Sequence, residues 1–201
     1  MRILAIHADA MSYKANRKTK IAEEIEVRED VMEDCVVLLS SVEKLDEVDP
    51  QRVVEAAVVE VLVRLDKLKA TRVMIFPFAH LTSTLSTPAV ALQILQGLEA
   101  GLKDRGIEVK RAPFGWYKEY SIKSKGHPLA ELSMTIYPYE GHTCDFLCPY
   151  CENPIKLKDM DQVNAERVRE QNPALRRYKR TCKVLRSGAK QYQYPRTRKR
   201  W

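Results

Sequence analysis

Apolar and polar positions along this chain fall into short strand-like runs and two helical stripes, all within the first 140 residues. Arg2 to Ala8 reads as a first strand, buried through Ile3, Leu4 and Ile6, with His7 and Asp9 near its end. Met11 to Asp34 is polar and charged with weak periodicity and predicts a loop or irregular excursion. Cys35 to Val42 predicts a strong second strand in which Cys35 is a small core residue. Asp49-Pro50 gives an N-cap followed by proline at the first helical position. Val53, Val54, Ala57, Val58, Val61, Leu62, Leu65 and Leu68 then recur at helical spacing to about residue 70. Arg72 to Phe76 is apolar on both faces and predicts a central strand. Thr87-Pro88 opens a second helix with a stripe of Val90, Ala91, Ile94, Leu95, Leu98 and Leu102, ended by Gly106. Ile107 to Arg111 and Trp116 to Ser124 predict two more strands, and a last one follows the Gly126-His127-Pro128 turn. The order β-β-α-β-α-β-β-β defines an α/β fold, a mixed sheet with two packed helices.

The run from Trp116 to Ser124 carries the first chemical signal. Alternation puts Trp116, Lys118, Tyr120 and Ile122 on one face and Glu119, Ser121 and Lys123 on the other. A lysine on an inward face loses hydration, which is costly without an anion or a hydrogen-bond network beside it. Glu131, just beyond the glycine turn, is the expected partner, and such a pair occurs both in functional clefts and in structural ion pairs. His80 follows the central strand directly, and ligands of open α/β sheets bind at the carboxyl ends of strands. A lone histidine is also a common structural residue.

Charge divides the chain. Residues 1–151 hold 19 Lys+Arg against 22 Asp+Glu, a net of −3, whereas residues 152–201 hold 15 against 5, a net of +10. The overall pI of about 9.1 therefore belongs to the C-terminal segment. Tyr178, Tyr192, Tyr194 and Trp201 are interleaved with its cations, a composition suited to unpaired nucleic acid. The alternative is a solvated arm with no partner. No apolar run approaches the ~18 residues of a membrane span, and the N-terminus lacks the apolar region of a secretory signal. The expected location is the cytoplasm, with no membrane partner.

Several segments carry a family resemblance. FPFAHL at Phe76 to Leu81, RAPFGWYK at Arg111 to Lys118 and KGHPLAELSMTI at Lys125 to Ile136 resemble the N-terminal editing domain of archaeal threonyl-tRNA synthetases. IHAD at Ile6 to Asp9 and SVEK at Ser41 to Lys44 agree in place and order. The resemblance implies a fold similar to D-aminoacyl-tRNA deacylases, a homodimer, and hydrolysis of L-serine from mischarged threonine tRNA. It implies catalytic roles for Lys118 and Glu131, with His80 at the pocket. It places the substrate's amino acid against the backbone around Ala79, Phe114 and Tyr117, with His7 among the binding residues and the terminal ribose hydroxyl of the tRNA taking part. No cofactor is implied for this chemistry. The residues agree with it: ester hydrolysis needs a positioned water and a stabilised oxyanion, and a lysine on an apolar face can serve either need. One methyl separates serine from threonine and is worth only ~1–3 kcal/mol in a pocket, so a synthetase needs a second sieve. Neighbouring readings are a D-aminoacyl-tRNA deacylase and a non-catalytic tRNA-binding adaptor. The presence of both Lys118 and Glu131 argues against the adaptor.

The resemblance ends near Tyr139, so residues 1–140 form the expected deacylase domain and 141–201 a separate appendage. The sequence shows no synthetase catalytic or anticodon-binding domain. The expectation is proofreading in trans, alone or beside a separate threonyl-tRNA synthetase, or a changed substrate. The appendage carries His142, Cys144, Cys148 and Cys151, then Cys182. Thiolates at this density suggest metal more than disulfides. Cys144, Cys148 and Cys151 with His142 or Cys182 would complete a four-ligand zinc site that supplies folding energy the appendage cannot draw from an apolar core. The glutaredoxin tetrapeptide and radical-enzyme iron–sulfur readings of the same cysteines need folds this segment is too short to form; reduced free thiols are the remaining alternative. Arg176, Arg177, Lys179, Arg180, Arg198, Lys199 and Arg200 are the expected tRNA contacts. Truncation after Glu140 should weaken tRNA binding and flatten its dependence on salt concentration, leaving intrinsic chemistry little changed. An unchanged slope in a filter-binding titration would remove the appendage from tRNA recognition.

Overall fold

A computed structural model of the chain describes residues 1–136. Eight regular elements occur in the order the sequence predicts: β1 (Arg2–Lys18), β2 (Glu29–Ser41), α1 (Pro50–Leu68), β3 (Arg72–Pro77), α2 (Pro88–Lys103), β4 (Glu108–Arg111), β5 (Trp116–Ser124) and β6 (Glu131–Thr135). The sheet is mixed. β2, β3 and β4 are parallel, while β1 is antiparallel to β2 on one edge and to β5 and β6 on the other. β3 is central among the parallel strands, as its two-sided apolar run requires.

Local signals act where expected. The Asp49 side chain accepts the Arg52 amide at 3.0 Å with Pro50 at the first helical position of α1. Thr87 precedes Pro88 at α2, though its hydroxyl makes no cap bond. Gly106, at φ +78°, turns the chain after α2. Cys35 is fully buried, and burial pushes its thiol up to about 11, so it is an inert core residue.

The main departure lies between residues 11 and 34. No loop occupies most of this stretch: β1 runs on to Lys18 and β2 begins at Glu29. Met11, Tyr13 and Ala15 are buried and alternate with Ser12, Lys14 and Asn16. That period-2 pattern is masked by charged residues on the outer face. The extension is held because β1 is paired on both edges.

The two helices cover one face of the sheet. Val53, Ala57, Val61 and Leu65 of α1 and Ile94, Leu95, Leu98 and Leu102 of α2 pack on Ile3, Val36, Leu38, Val73 and Ile75. The opposite face is covered by the sheet itself. β5 stands three strands from β3, about 14 Å in a flat sheet, yet the Tyr120 and Phe76 ring centroids are 5.0 Å apart. The sheet therefore rolls, helped by irregularities in the β1–β5 ladder between Ala8 and Ala10 and between Ala15 and Arg17. The roll closes Met11, Tyr13, Val37, Leu39, Met74 and Phe76 into a second core and brings β5 over the carboxyl end of β3. Among the described residues, no helix is long and apolar enough to cross a membrane.

Candidate active site

The roll leaves a cavity of about 430 Å³ between β5 and the carboxyl ends of β2 and β3. Phe76, Phe78, Ala91, Leu95, Phe114 and Trp116 make it mainly apolar, and Lys118 enters its wall. The lysine sits on the inward face of β5, as alternation predicts, between buried Trp116 and Tyr120, whose ring reaches Phe76 but remains 48% exposed. Its Nζ donates to the carbonyls of Pro113 at 2.8 Å and Trp116 at 3.2 Å, and lies 5.1 Å from the Phe76 ring centroid. Burial lowers the amine to about 8, opposed by the Glu23 charge and reinforced by Arg111. At pH 7 the cation still predominates roughly tenfold. An ammonium has three donors; two are spent on carbonyls and one is left for a ligand.

Four of the other expected site residues share this cavity. Ala79 and His80 lie on a 3-10 turn that follows β3, with the His80 ring edge-on to Phe78 at 5.1 Å. Phe114 and Tyr117 line the opposite side. Sequence reasoning missed Ser40 and Ser41, which close the cavity floor at the end of β2. Ser41 donates to the Phe78 carbonyl and accepts the Leu81 amide at 3.3 Å, so it fixes the turn that carries His80. The rule that pointed to the end of β3 applies equally to its parallel neighbour β2.

Glu131 and His7 are elsewhere. Lys118 pairs with Ala15 of β1, whereas Glu131 pairs with Ile6. Those partners stand nine residue steps apart along β1, about 30 Å. β5 and β6 do not pair with each other: both strands run along the same edge of β1, one continuing where the other stops. Glu131 is therefore not the partner of Lys118 within one chain. It is exposed, beside a separate histidine pair. The Leu129 amide donates to His127 Nδ1 at 3.2 Å, leaving Nε2 to donate to His7 Nδ1 at 2.9 Å. Burial, and then the Lys125 charge, hold the His7 imidazole below its ordinary value, so it is neutral at pH 7. His142, the cysteines from Cys144 onward and the basic positions from Arg176 to Arg200 lie outside the described residues. Among the described residues no group of three or more His, Cys, Asp or Glu side chains could hold a metal ion.

The site is a lysine-walled pocket at the strand ends of a rolled α/β sheet, and comparison with known proteins gives its family. Residues 1–136 match the family described as the archaea-specific editing domain of threonyl-tRNA synthetase, and the chain belongs to that family. It is 50% identical over 139 residues to a threonine–tRNA ligase of Methanopyrus kandleri, covering 69% of this chain and 22% of the relative. The ligase of Thermococcus gammatolerans is 48% identical over 144 residues, 70% of this chain and 23% of the relative. That of Methanoculleus marisnigri is 45% identical over 142 residues, with 70% and 23% covered. The chain thus spans under a quarter of the length of these relatives.

Gly115 shapes the pocket wall. It has φ +72°, and a Cβ there would lie 2.5 Å from the Ile21 carbonyl oxygen and 2.7 Å from the Ala22 Cα. Gly126 has φ +68° with nothing within 4 Å. Both substitutions place a Cβ at positive φ, at about 1–2 kcal/mol; Gly115→Ala adds the backbone clash, so it should cost clearly more than Gly126→Ala in urea unfolding. Equal losses would mean that the backbone approach at residues 21–22 does not constrain the wall.

Proposed function

We propose that this chain hydrolyses the ester of a mischarged aminoacyl-tRNA, with L-serine on threonine tRNA as the preferred substrate. The observation that carries the reading is the Lys118 ammonium, two-thirds satisfied by backbone carbonyls and presented to an apolar cavity large enough for an amino acid. Family membership and relatives named threonine–tRNA ligase support the choice of tRNA and amino acid.

In this mechanism the remaining N–H of Lys118 donates to the ester carbonyl oxygen. A water attacks the carbonyl carbon, and negative charge builds on that oxygen beside the cation, in surroundings where the interaction is little screened. The tetrahedral species collapses with cleavage of the carbon–oxygen bond to the ribose. The proton lost by the water passes to the departing ribose oxygen, with the neighbouring ribose hydroxyl placed to relay it. Serine and free acceptor tRNA result. The threonine methyl displaces Lys118 or the attacking water, so threonyl-tRNA is spared.

Lys118→Ala should abolish deacylation of seryl-tRNA while tRNA binding survives; unchanged turnover would defeat the assignment. The cation is the active form, so the enzymatic rate above the spontaneous rate should fall as pH rises through about 8. A rate that climbs through that pH would make the neutral amine the active species instead.

Glu131 serves this pocket through a second copy of the chain, because its own pocket is out of reach along β1. Inactive Lys118→Ala and Glu131→Ala chains, mixed and allowed to exchange, should recover about a quarter of wild-type activity. Half the dimers then pair unlike chains, and each has one intact site of two. No recovery on mixing would remove Glu131 from the chemistry in trans.

A further inference from the structure

The carbonyls that clasp Lys118 belong to the short connection between β4 and β5 and to the first residue of β5, and that segment is itself gripped from behind. The Phe114 amide donates to Glu23 Oε1 at 2.5 Å, and the Trp116 indole donates to the Glu23 carbonyl at 2.9 Å. The Glu23 amide donates back to the Phe114 carbonyl at 3.2 Å. The amide and hydroxyl of Thr19 both donate to the Gly115 carbonyl, at 3.0 and 2.6 Å. The Glu23 carboxylate is held in turn by Arg111 through two bonds of 2.6 and 3.0 Å, and Arg111 Nε donates to Glu99 of α2 at 2.8 Å. These three side chains are 14%, 13% and 21% exposed, far drier than a surface ion pair. None of them lines the cavity.

This chain of contacts has one end in α2 and the other at the amine. Through it, Glu23 fixes residues 113–116 so that the Pro113 and Trp116 carbonyls face one point. We propose that Glu23, oriented by Arg111, is a positioning residue for the Lys118 ammonium, acting through the Pro113–Trp116 segment and through its own charge. The inference rests on the reading of Lys118 as the working cation.

The charges around Lys118 decide the sign of the effect. Glu23 from the β1–β2 connection favours the cation, and Arg111 from β4 opposes it. Glu99 of α2 is spent on Arg111 and Lys103. Tyr13 of β1, Tyr117 and Tyr120 of β5 and His80 of the turn after β3 are further titratable groups of the surroundings, and Lys18 of β1 and Arg28 of the β1–β2 connection lie over the Trp116 ring at 5.4 and 5.7 Å. Glu24 is turned away to Lys18, and Glu119 to Asn16. Glu23→Gln keeps an acceptor for the Phe114 amide but removes the one anion that favours the amine's charge, leaving Arg111 less compensated.

The test is the titration of Lys118 in the full chain, followed by competitive acetylation with acetic anhydride across pH and mass spectrometry of the peptide containing residue 118. The midpoint of Glu23→Gln should fall by about one pH unit. Glu23→Asp, which keeps the charge, should stay near wild type, and so should Glu24→Gln. The alkaline fall of the deacylation rate should move with the labelling midpoint. An unchanged midpoint in folded Glu23→Gln overturns the proposal. Should that variant not fold, Glu99→Gln takes its place: it strips Arg111 of one of two partners, and its midpoint must also fall, an unchanged value again overturning the proposal. Labelling needs no substrate. A shifted midpoint in a chain without deacylase activity would uphold the positioning role of Glu23 and sink only the proposed function.

Discussion

A single amine, drawn out of water and given two backbone carbonyls in exchange, is the interaction around which the candidate site is arranged. Moving an ammonium into an apolar wall is tolerated only where donors find acceptors and charge finds some compensation. Pro113 and Trp116 supply the acceptors, the Phe76 face supplies a weakly attractive floor, and Glu23 supplies a nearby anion. The result is intermediate. The amine is lowered enough to be responsive near pH 8, yet remains a cation at neutrality. A fully solvated lysine would be screened and unfocused. A fully buried, uncompensated one would lose its proton.

The fold makes this arrangement available by rolling rather than by adding a layer. With both helices on one face, the other face of the sheet would be open. The long β1 strand, paired on both edges, carries β5 around until Tyr120 and Lys118 reach Phe76. The cavity is the gap left where that closure is incomplete, at the carboxyl ends of β2 and β3. The same strand also separates the site's parts. Its far end carries β6, the His7–His127 pair and Glu131, so one chain presents a pocket at one end of β1 and an exposed carboxylate at the other.

Most of the architecture was legible because its signals are local. Asp49-Pro50 marked α1, the two-sided apolar run of Arg72–Phe76 marked a central strand, and alternation from Trp116 placed Lys118 inward. The second half of β1 was obscured because solvent-facing charges hide the alternation of Met11, Tyr13 and Ala15. The Lys118–Glu131 pairing failed for a topological reason. Glu131 lies thirteen residues downstream of Lys118, just past a glycine turn, a spacing that lets the two meet, but only the pairing register shows that β5 and β6 share an edge of β1 and never face each other. Glu23, Arg111 and Glu99 are far apart in sequence, and nothing in their spacing signals that they meet. Resemblance to the family identified Ala79, His80, Phe114 and Tyr117, all of which line the cavity, while His7 lies with Glu131.

The most direct measurement is the crystal structure of this chain with a non-hydrolysable seryl analogue, 3′-serylamino-adenosine. The account predicts the serine moiety inside the cavity walled by Phe114 and Tyr117, its carbonyl oxygen within hydrogen-bonding distance of Lys118 Nζ, and the amine still held by Pro113 and Trp116. An analogue seated elsewhere on the sheet, or seated in the cavity with its carbonyl turned away from that amine, would contradict it.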